Sequence, residues 1–343
     1  MKKQLNVGIL GATGAVGREM LRILEERELP LSSLRLFSSE RSAGAELAFK
    51  GSAITVEKAD IRSFEGLDLV LGAADNDAAR SFAPAITDSG ALFIDNSSAF
   101  RLDPAVPLVI PEINPEDAFL NRGIISNPNC VTIIALTAIG ALLSESEPES
   151  ITASSYQAVS GAGAAGLEEL TRSMEAYLNG RDYPPLVFDR PIACNLIPKI
   201  GETDREGWTA EEMKMQNEGR KILHRPDLRV SCTCVRVPVM RSHSVSLTLR
   251  TKKKISLSRA RELLSAAPGV RLCDDTASGI YPTPLSVSGR DEVSVGRLRR
   301  DLTSENGLCL FCCGDQLRKG AALNAIQIAE LVFGQSANKK PEA

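Results

Sequence analysis

The chain has 343 residues, of which 40 are basic and 43 acidic, so its formal net charge is -3. This balance argues against a general nucleic-acid binder or a protein that binds anionic membranes, since both need a basic excess. Hydrophobic residues make up 43% of the chain, which supplies enough apolar surface for two domains with cores of their own.

The first half of the chain alternates strand patterns with helical patterns. Leu5–Leu10 is a typical strand that enters the glycine turn Gly11-Ala12-Thr13-Gly14-Ala15-Val16-Gly17, and a helical pattern follows to about Glu26. Such a turn presents helix N–H groups to a pyrophosphate, although glycines at this spacing also serve tight helix–strand packing. Further strands are predicted at residues 34–37, 67–73, 91–95 and 106–110, with a helix at 78–87 that Pro84 should kink or shorten. The alternation predicts a Rossmann-like, doubly wound parallel sheet.

A long apolar run at residues 131–143 follows the segment Ser126-Asn127-Pro128-Asn129-Cys130 and predicts a buried helix. Cys130 would then lie at the helix N-terminus, where unpaired N–H groups favour a thiolate and stabilise an oxyanion. Asn127 or Asn129 would cap the helix. The alternative is that Cys130 is a small core residue at a capped helix start.

The second half of the chain has longer strands, predicted at residues 151–159, 228–238 and 244–251, with period-2 alternation. Helices are predicted at residues 166–178, 210–223 and 318–333, and the tail from residue 334 should be frayed. This pattern of strands and helices predicts an α+β domain with a mainly antiparallel sheet, one face of which is covered.

Eight cysteines lack the spacing of a disulfide framework. Cys309 and Cys312 form a CxxC, but Cys232 and Cys234 are a poor second pair for zinc, so we expect buried thiols and no metal. No signal-like segment or run of 18 apolar residues occurs, and we expect a cytoplasmic protein with reduced thiols.

Two histidines are available as a proton-handling partner for Cys130. His224 closes an amphipathic helix, where a histidine usually complements the helix dipole. His243 lies in a turn between two predicted strands, where catalytic groups are often held. We therefore prefer His243, although an ordinary surface loop residue is the alternative.

Several segments, taken in their order along the chain, resemble the aspartate-β-semialdehyde dehydrogenase family across essentially the whole chain. They are GATGAVG (11–17), SSERSAG (38–44), DNSSAFR (95–101), PEIN (111–114), SNPNC (126–130), QAVSGAG (157–163), EEMKM (211–215), VRVPV (235–239) and on to His243, and LRKGAALNAIQIAEL (317–331). The resemblance implies NADPH-dependent reductive dephosphorylation of L-aspartyl 4-phosphate to L-aspartate 4-semialdehyde through a cysteine thioester. It also implies a homodimer and a role in the biosynthesis of lysine (through diaminopimelate), threonine and methionine.

The resemblance implies a role for each matching residue. Cys130 would be the nucleophile, His243 the general acid/base and Gln157 the group that orients the acyl intermediate. Substrate contacts would be Arg236 and Glu211, with Arg101, Asn129 and Lys214 at the phosphate. Cofactor contacts would be Gly11, Thr13, Gly14, Ala15, Val16, Gly17, Ser39, Arg41, Ser42, Ser160, Gly161 and Gln316. The implied domains are residues 1–130, with helix 318–335 packed back on them, and the catalytic and dimerisation domain 131–317.

Two positions depart from the family pattern. Ser242 stands where the family has a glycine before its histidine, and Gln316 stands where it has an asparagine near the nicotinamide. Neither departure removes a group that the chemistry needs, but both bear on cofactor geometry and turnover.

The segment after the second predicted strand favours NADP over NAD. An NAD site usually places Asp or Glu here to bind the ribose 2′-OH, whereas Ser39, Arg41 and Ser42 suit a 2′-phosphate. Glu40 would repel that phosphate, so this prediction requires Glu40 to face solvent.

Two other functions remain open at this point. A sister acyl-phosphate reductase, such as N-acetyl-γ-glutamyl-phosphate reductase or glyceraldehyde-3-phosphate dehydrogenase, shares the cysteine–histidine–nicotinamide chemistry, but its family fits the SNPNC, EEMKM and LRKGAALN segments less well. A catalytically silent paralogue that acts as a binding protein should have lost Cys130, Gln157 or His243, and this chain keeps all three.

Overall fold

The computed structural model describes residues 4–27 and 29–334, which divide into two compact units. The first unit contains the chain up to Asn129 and the segment from Ala321 onwards, and the second is Cys130–Gly320. In chain order the α-helices are α1 (Ala15–Glu26), α2 (Asn76–Asp88), α3 (Cys130–Glu145), α4 (Gly163–Leu178), α5 (Ala210–Ile222), α6 (Leu257–Ala266), α7 (Pro284–Val287) and α8 (Leu323–Gly334). The predicted frayed tail falls, apart from Gly334, outside the described residues.

The first unit is built on a seven-stranded sheet. Its strands are β1 (Leu5–Leu10), β2 (Leu31–Ser38), β3 (Glu46–Phe49), β4 (Ser52–Lys58), β5 (Leu69–Gly72), β6 (Leu92–Asp95) and β7 (Ile124–Ser126). They lie in the order β3-β4-β2-β1-β5-β6-β7, and only the β3–β4 pair is antiparallel. The order runs outward from β1 in both directions, which confirms the predicted doubly wound parallel fold.

Helices cover both faces of this sheet. On one face, apolar residues of α1 and α8 share a buried cluster with β1, β2 and β5. On the other face, residues of α2 pack with Phe37, Phe64 and Phe93. Strands buried on both faces have near-continuous apolar sequences, which is why β5 and β6 were recognisable without alternation.

The second unit is built on a six-stranded mixed sheet. Its strands are β8 (Pro148–Gln157), β9 (Arg229–Arg236), β10 (His243–Thr251), β11 (Val270–Leu272), β12 (Val293–Arg300) and β13 (Gly307–Gly314). They lie in the order β11-β12-β13-β10-β8-β9, and the three central pairs are antiparallel while the outer pairs β11–β12 and β8–β9 are parallel. The predicted mainly antiparallel sheet is confirmed.

Helix α3 packs within the second unit against α5, α6 and strands β10, β12 and β13. Ten of its sixteen residues are buried, which explains why its sequence shows no polar face. None of the described helices is long and apolar enough to cross a membrane.

Two local predictions were wrong. Residues 106–110 are buried but form no strand, because Leu108 makes only an isolated bridge with Ser126 and the Asn114 side chain bonds the Leu108 carbonyl and the Ile110 N–H. Pro107, within this segment, and Pro111, directly after it, have no N–H to donate to a neighbouring strand. Pro84 does not shorten α2, which continues to Asp88, since Pro84 lies on the exposed side, where a carbonyl that loses its partner can face water.

Candidate active site

The glycine turn of the first unit is closely packed against backbone at the start of α1. Gly11 has a φ of +86°, and a Cβ there would lie 2.5 Å from the Ala73 carbonyl oxygen. A Cβ at Gly17 would lie 2.7 Å from Ala12 Cα, so both positions require glycine. Gly14 caps α1 without a side-chain bond, and Ala15 and Val16 begin the helix. The glycines thus allow tight packing of the turn, and the N–H groups of the helix start that follows it are the backbone donors that suit a dinucleotide pyrophosphate.

Hydroxyl and cationic groups cluster at the end of β2. Thr13 Oγ1 lies 2.9 Å from Ser38 Oγ, and Ser39 precedes a 3-10 turn at Glu40–Ser42. Glu40 is 81% exposed and pairs with Lys58 Nζ at 2.9 Å. The exposed side chain of Arg41 and half-buried Ser42 complete the turn. Glu40 therefore faces solvent, as the sequence-based prediction of NADP requires, and it pairs with Lys58.

Arg101 and Asn129 are both buried in the first unit. Arg101 Nε donates to the Asn127 carbonyl at 2.9 Å, and Nη2 donates to the Asn96 carbonyl at 2.8 Å. These bonds hold the guanidinium in one orientation. The Asn127 amide is also engaged within this unit, because it donates to Asn96 Oδ1 and accepts from Asn324.

In the second unit, Cys130 is the first residue of α3 and is partly buried. The helix start and the Arg236 guanidinium both place positive charge near its sulfur, since Cys130 and Arg236 interact electrostatically. Arg236, at the end of β9, is 7% exposed. Burial lowers the pKa of Arg236, and Cys130 and Glu211 oppose that shift.

The main chain of Ala158, directly after β8, orients two of the site's side chains. Its N–H donates to His243 Nδ1 at 3.0 Å, and its carbonyl accepts from Arg236 Nη1 at 2.7 Å. Because Nδ1 accepts a hydrogen bond, the neutral imidazole carries its proton on Nε2. Nε2 itself has no hydrogen-bond partner within the described chain.

His243 is fully buried at the start of β10. Burial, reinforced by the charge of Arg236 and opposed by Glu211, lowers the pKa of His243 to about 3. The imidazole is therefore neutral at physiological pH, and its Nε2–H is an available donor. A surface loop position for His243 is excluded by this burial.

Gly161 lies next to both the Arg236 guanidinium and the neutral His243 imidazole. A Cβ at this position would be 2.9 Å from Arg236 Nη1 and 3.5 Å from His243 Cε1. The absence of a side chain thus lets the guanidinium and the imidazole approach the same backbone segment. This contact is a further role for a residue that the family resemblance places at the cofactor.

Gln157, Glu211 and Lys214 form a chain of polar contacts. Gln157 Nε2 lies 3.4 Å from Glu211 Oε1, and Glu211 Oε2 pairs with Lys214 Nζ at 2.8 Å. Gln157 also donates to Ser155 Oγ at 3.2 Å. Glu211 is only 10% exposed, so this pair on one face of α5 is more shielded than a surface salt bridge.

Gln316 and Ser160 are buried and hydrogen-bonded to each other. His224 lies elsewhere, exposed just after α5 with a φ of +52°. The eight cysteines, all in the described part of the chain, form no disulfide. Cys232 and Cys234 lie 3.7 Å apart (Sγ–Sγ) in the core, and no group of three or more His, Cys, Asp or Glu side chains in the described residues is placed to hold a metal ion.

Comparisons with known proteins identify the family. Residues 6–120 match the family described as semialdehyde dehydrogenase, NAD binding domain, and residues 139–319 match semialdehyde dehydrogenase, dimerisation domain. An aspartate-semialdehyde dehydrogenase from Aquifex aeolicus is 46% identical over 95% of this chain and 97% of its own. This chain belongs to the aspartate-semialdehyde dehydrogenase family.

Solved structures of this family share the fold. Aspartate semialdehyde dehydrogenase II from Vibrio cholerae has a TM-score of 0.95 and 39% identity, with 97% of this chain and 100% of that chain covered. A second structure of that Vibrio protein, in complex with ASA, matches equally well. The family assignment makes this protein an oxidoreductase that uses a nicotinamide cofactor.

Sequence reasoning missed Ala158 and Lys58. Ala158 acts through its main chain, which no side-chain pattern reveals, although its place directly after Gln157 was a positional signal. Lys58 and Ser38 are paired in register between β4 and β2, and that parallel pairing was invisible because β4 was not predicted.

Proposed function

We propose that this protein catalyses the NADPH-dependent reductive dephosphorylation of L-aspartyl 4-phosphate to L-aspartate 4-semialdehyde, in the cytoplasm and as a homodimer. The observation that carries the proposal is the grouping of Arg236 and His243 around the Ala158–Gly161 backbone, with Cys130 close enough to interact electrostatically with Arg236. A shielded thiol at a helix start, a buried guanidinium and a neutral imidazole donor are what acyl transfer from an anionic acyl phosphate requires.

Cys130 acts as the nucleophile in this scheme. Its thiolate attacks the acyl carbonyl, a C–S bond forms, the C–O bond to phosphate breaks, and phosphate leaves with the bonding electrons. The positive end of α3 and Arg236 favour the thiolate, so His243 is not needed to remove the thiol proton. N–H groups at the start of α3 stabilise the negative oxygen.

His243 acts as a hydrogen-bond donor from Nε2, since loss of that proton would leave an imidazolate. The Ala158 N–H occupies Nδ1, so the imidazole presents a proton to the oxygen of the tetrahedral species rather than a lone pair. When bound, NADPH supplies the hydride that reduces the thioester, and collapse of the resulting thiohemiacetal returns the Cys130 thiolate and releases the aldehyde. Gln157 orients the acyl group.

The substrate's charged groups are assigned to separate residues. Arg236 grips the carboxylate with its two-pronged guanidinium, and Glu211 binds the ammonium in place of its Lys214 partner. Lys214, Arg101 and Asn129 bind phosphate. The buried, oriented guanidinium of Arg101 supports its role in anion binding.

NADP is the proposed cofactor form. Gly11, Gly14 and Gly17 with the Ala15–Val16 N–H groups take the pyrophosphate. A further set takes the adenosine 2′-phosphate and the nicotinamide end: Thr13, Ser39, Arg41, Ser42, Ser160, Gly161 and Gln316. The solvent-facing Glu40–Lys58 pair supports the choice of NADP, because it leaves no carboxylate for a ribose 2′-OH. The eight free thiols support a reducing compartment.

Trapping the acyl-enzyme tests the reaction directly. Mixing the protein with aspartate semialdehyde and NADP, without phosphate, should form about one equivalent of NADPH and add one aspartyl group to the chain in an intact mass spectrum. Cys130→Ser should show neither signal, while the matched control Cys194→Ser, at an exposed thiol, should show both. An adduct that survives in Cys130→Ser would contradict the assignment.

Two further measurements test the remaining parts of the proposal. Turnover of N-acetylglutamate semialdehyde and of glyceraldehyde 3-phosphate distinguishes this protein from the sister reductases. Faster turnover of either compound than of aspartate semialdehyde would assign the protein to the corresponding reductase class. Light scattering coupled to size exclusion tests the dimer, which the match of residues 139–319 to a dimerisation-domain family supports.

A further inference from the structure

Ser242, directly before His243, has a backbone conformation that is unusual for its residue type. Its φ is +77°, a left-handed value that favours glycine. Five non-glycine residues in the described chain have positive φ, and among them Ser242 alone is buried, with 0% exposure. A buried residue can keep such a conformation only where its surroundings fix it.

Two hydrogen bonds fix Ser242. Its N–H donates to Gln316 Oε1 at 2.7 Å, and its Oγ lies 2.8 Å from Ser288 Oγ. Ser288 Oγ in turn donates to the Pro284 carbonyl at 2.9 Å. Both the backbone and the side chain of Ser242 are therefore held.

Gln316 connects Ser242 to the segment Ala158–Ser160, which contacts the His243 imidazole. Its Nε2 donates to Ser160 Oγ, and Ser160 lies two residues after Ala158, whose N–H binds His243 Nδ1. The carboxamide of Gln316 thus spans the residue before His243 and the segment that fixes the His243 tautomer. Next to it, Asp315 accepts from Arg241 Nε at 2.7 Å, so the turn before His243 is attached at two consecutive residues.

Ser242 and Gln316 are also the two departures from the family pattern. Glycine at 242 would adopt the left-handed conformation without steric cost, whereas serine keeps it here with both its N–H and its Oγ hydrogen-bonded. Asparagine at 316 is one methylene shorter than glutamine and would not reach both Ser242 N and Ser160 Oγ from the same backbone position. The hydrogen bond between the Ser242 N–H and Gln316 Oε1 therefore joins the two positions that depart from the family pattern.

We propose that Ser242 and Gln316 are a coupled pair of positioning residues that together set the orientation of the His243 ring. This inference rests on the proposed function, in which His243 donates a hydrogen bond from Nε2. It makes Gln316 a residue that acts through His243, in addition to the cofactor contact that the family resemblance implies.

A double-mutant cycle tests the pair. Gln316→Asn should lower kcat by about 10–100-fold, because the Ser242 N–H loses its acceptor and the imidazole shifts. In a Ser242→Gly background the turn can relax toward the shorter side chain, and the same substitution should cost about threefold or less, a coupling within the usual range for contacting residues. Gln327→Asn, in the first unit, is the matched control and should retain wild-type kcat.

Readouts other than rate separate positioning from stability. Gln316→Asn should move the His243 Cε1–H resonance, and the double variant should return it toward the wild-type position, while KM for phosphate stays within about twofold. Equal losses of kcat in both backgrounds, or an unmoved resonance, would overturn the inference. Failure of the proposed function is distinguishable, because the wild type would then lack NADP-dependent oxidation of aspartate semialdehyde while the resonance would still report the pair.

Discussion

Replacement of His243 by glutamine should make the protein less sensitive to acid. Burial and Arg236 lower the pKa of His243 to about 3, whereas a histidine in an unfolded chain titrates near about 6.5. Below about pH 6.5 the unfolded chain therefore binds a proton that the folded protein does not, so stability falls as the pH falls. Between pH 7 and pH 5 this single group should remove about 2 kcal/mol from the free energy of unfolding, and the loss continues down to the folded pKa.

Urea unfolding of the wild type and of His243→Gln at pH 7 and pH 5 measures this difference. The wild type should lose about 2 kcal/mol more than His243→Gln over that interval. His224→Gln removes the other histidine of the chain, which is exposed, and should retain the wild-type pH slope. The two histidine resonances can also be followed directly in labelled protein. Parallel stability losses in the wild type and His243→Gln, or a His243 resonance that titrates near pH 6.5, would refute the buried neutral imidazole.

Four other substitutions address the geometry around this imidazole, its substrate and the cofactor. Gly161→Ala places a methyl group 2.9 Å from Arg236 Nη1 and should reduce kcat/KM by about 100-fold with little change in Tm; near wild-type turnover would contradict the close packing. Arg236→Lys should raise KM for aspartate semialdehyde by about 10-fold or more and spare phosphate, while Lys214→Ala should do the reverse, and equal effects on both substrates would contradict the division of roles. Arg41→Ala should reduce the preference for NADP in kcat/KM by about 10-fold, and an unchanged ratio would exclude Arg41 from the 2′-phosphate.

Strands and helices that are buried along most of their length could be predicted from the sequence. Strand β1 and helix α3 lie within one to two residues of their predicted bounds, since each is a continuous apolar segment with a clear start. The segment at residues 106–110 has the same composition as a strand, but it bonds β7 only through Ser126, and the Asn114 side chain bonds the Leu108 carbonyl and the Ile110 N–H. Composition reports burial, and it does not report which partner satisfies the backbone.

The candidate site was predictable only in part for a related reason. Cys130 and His243 have side chains with characteristic chemistry, so a sequence displays them. The tautomer of His243 depends on the Ala158 N–H, and its neutrality depends on burial among residues far apart in the chain. The bond between Ser242 and Gln316 joins positions 74 residues apart, and no local pattern encodes it.

The buried thiols of the second unit determine how this enzyme should respond to oxidants. Burial raises the pKa of Cys312 well above its ordinary value and that of Cys313 to about 12, so at pH 7 about one Cys313 in 10⁵ is ionised. Peroxides attack thiolates, and the interior sulfurs of the sheet are therefore almost inert to them. Oxidation should therefore be confined to Cys130 and the accessible thiols, while the core stays folded. A reductant should then restore activity without a refolding step.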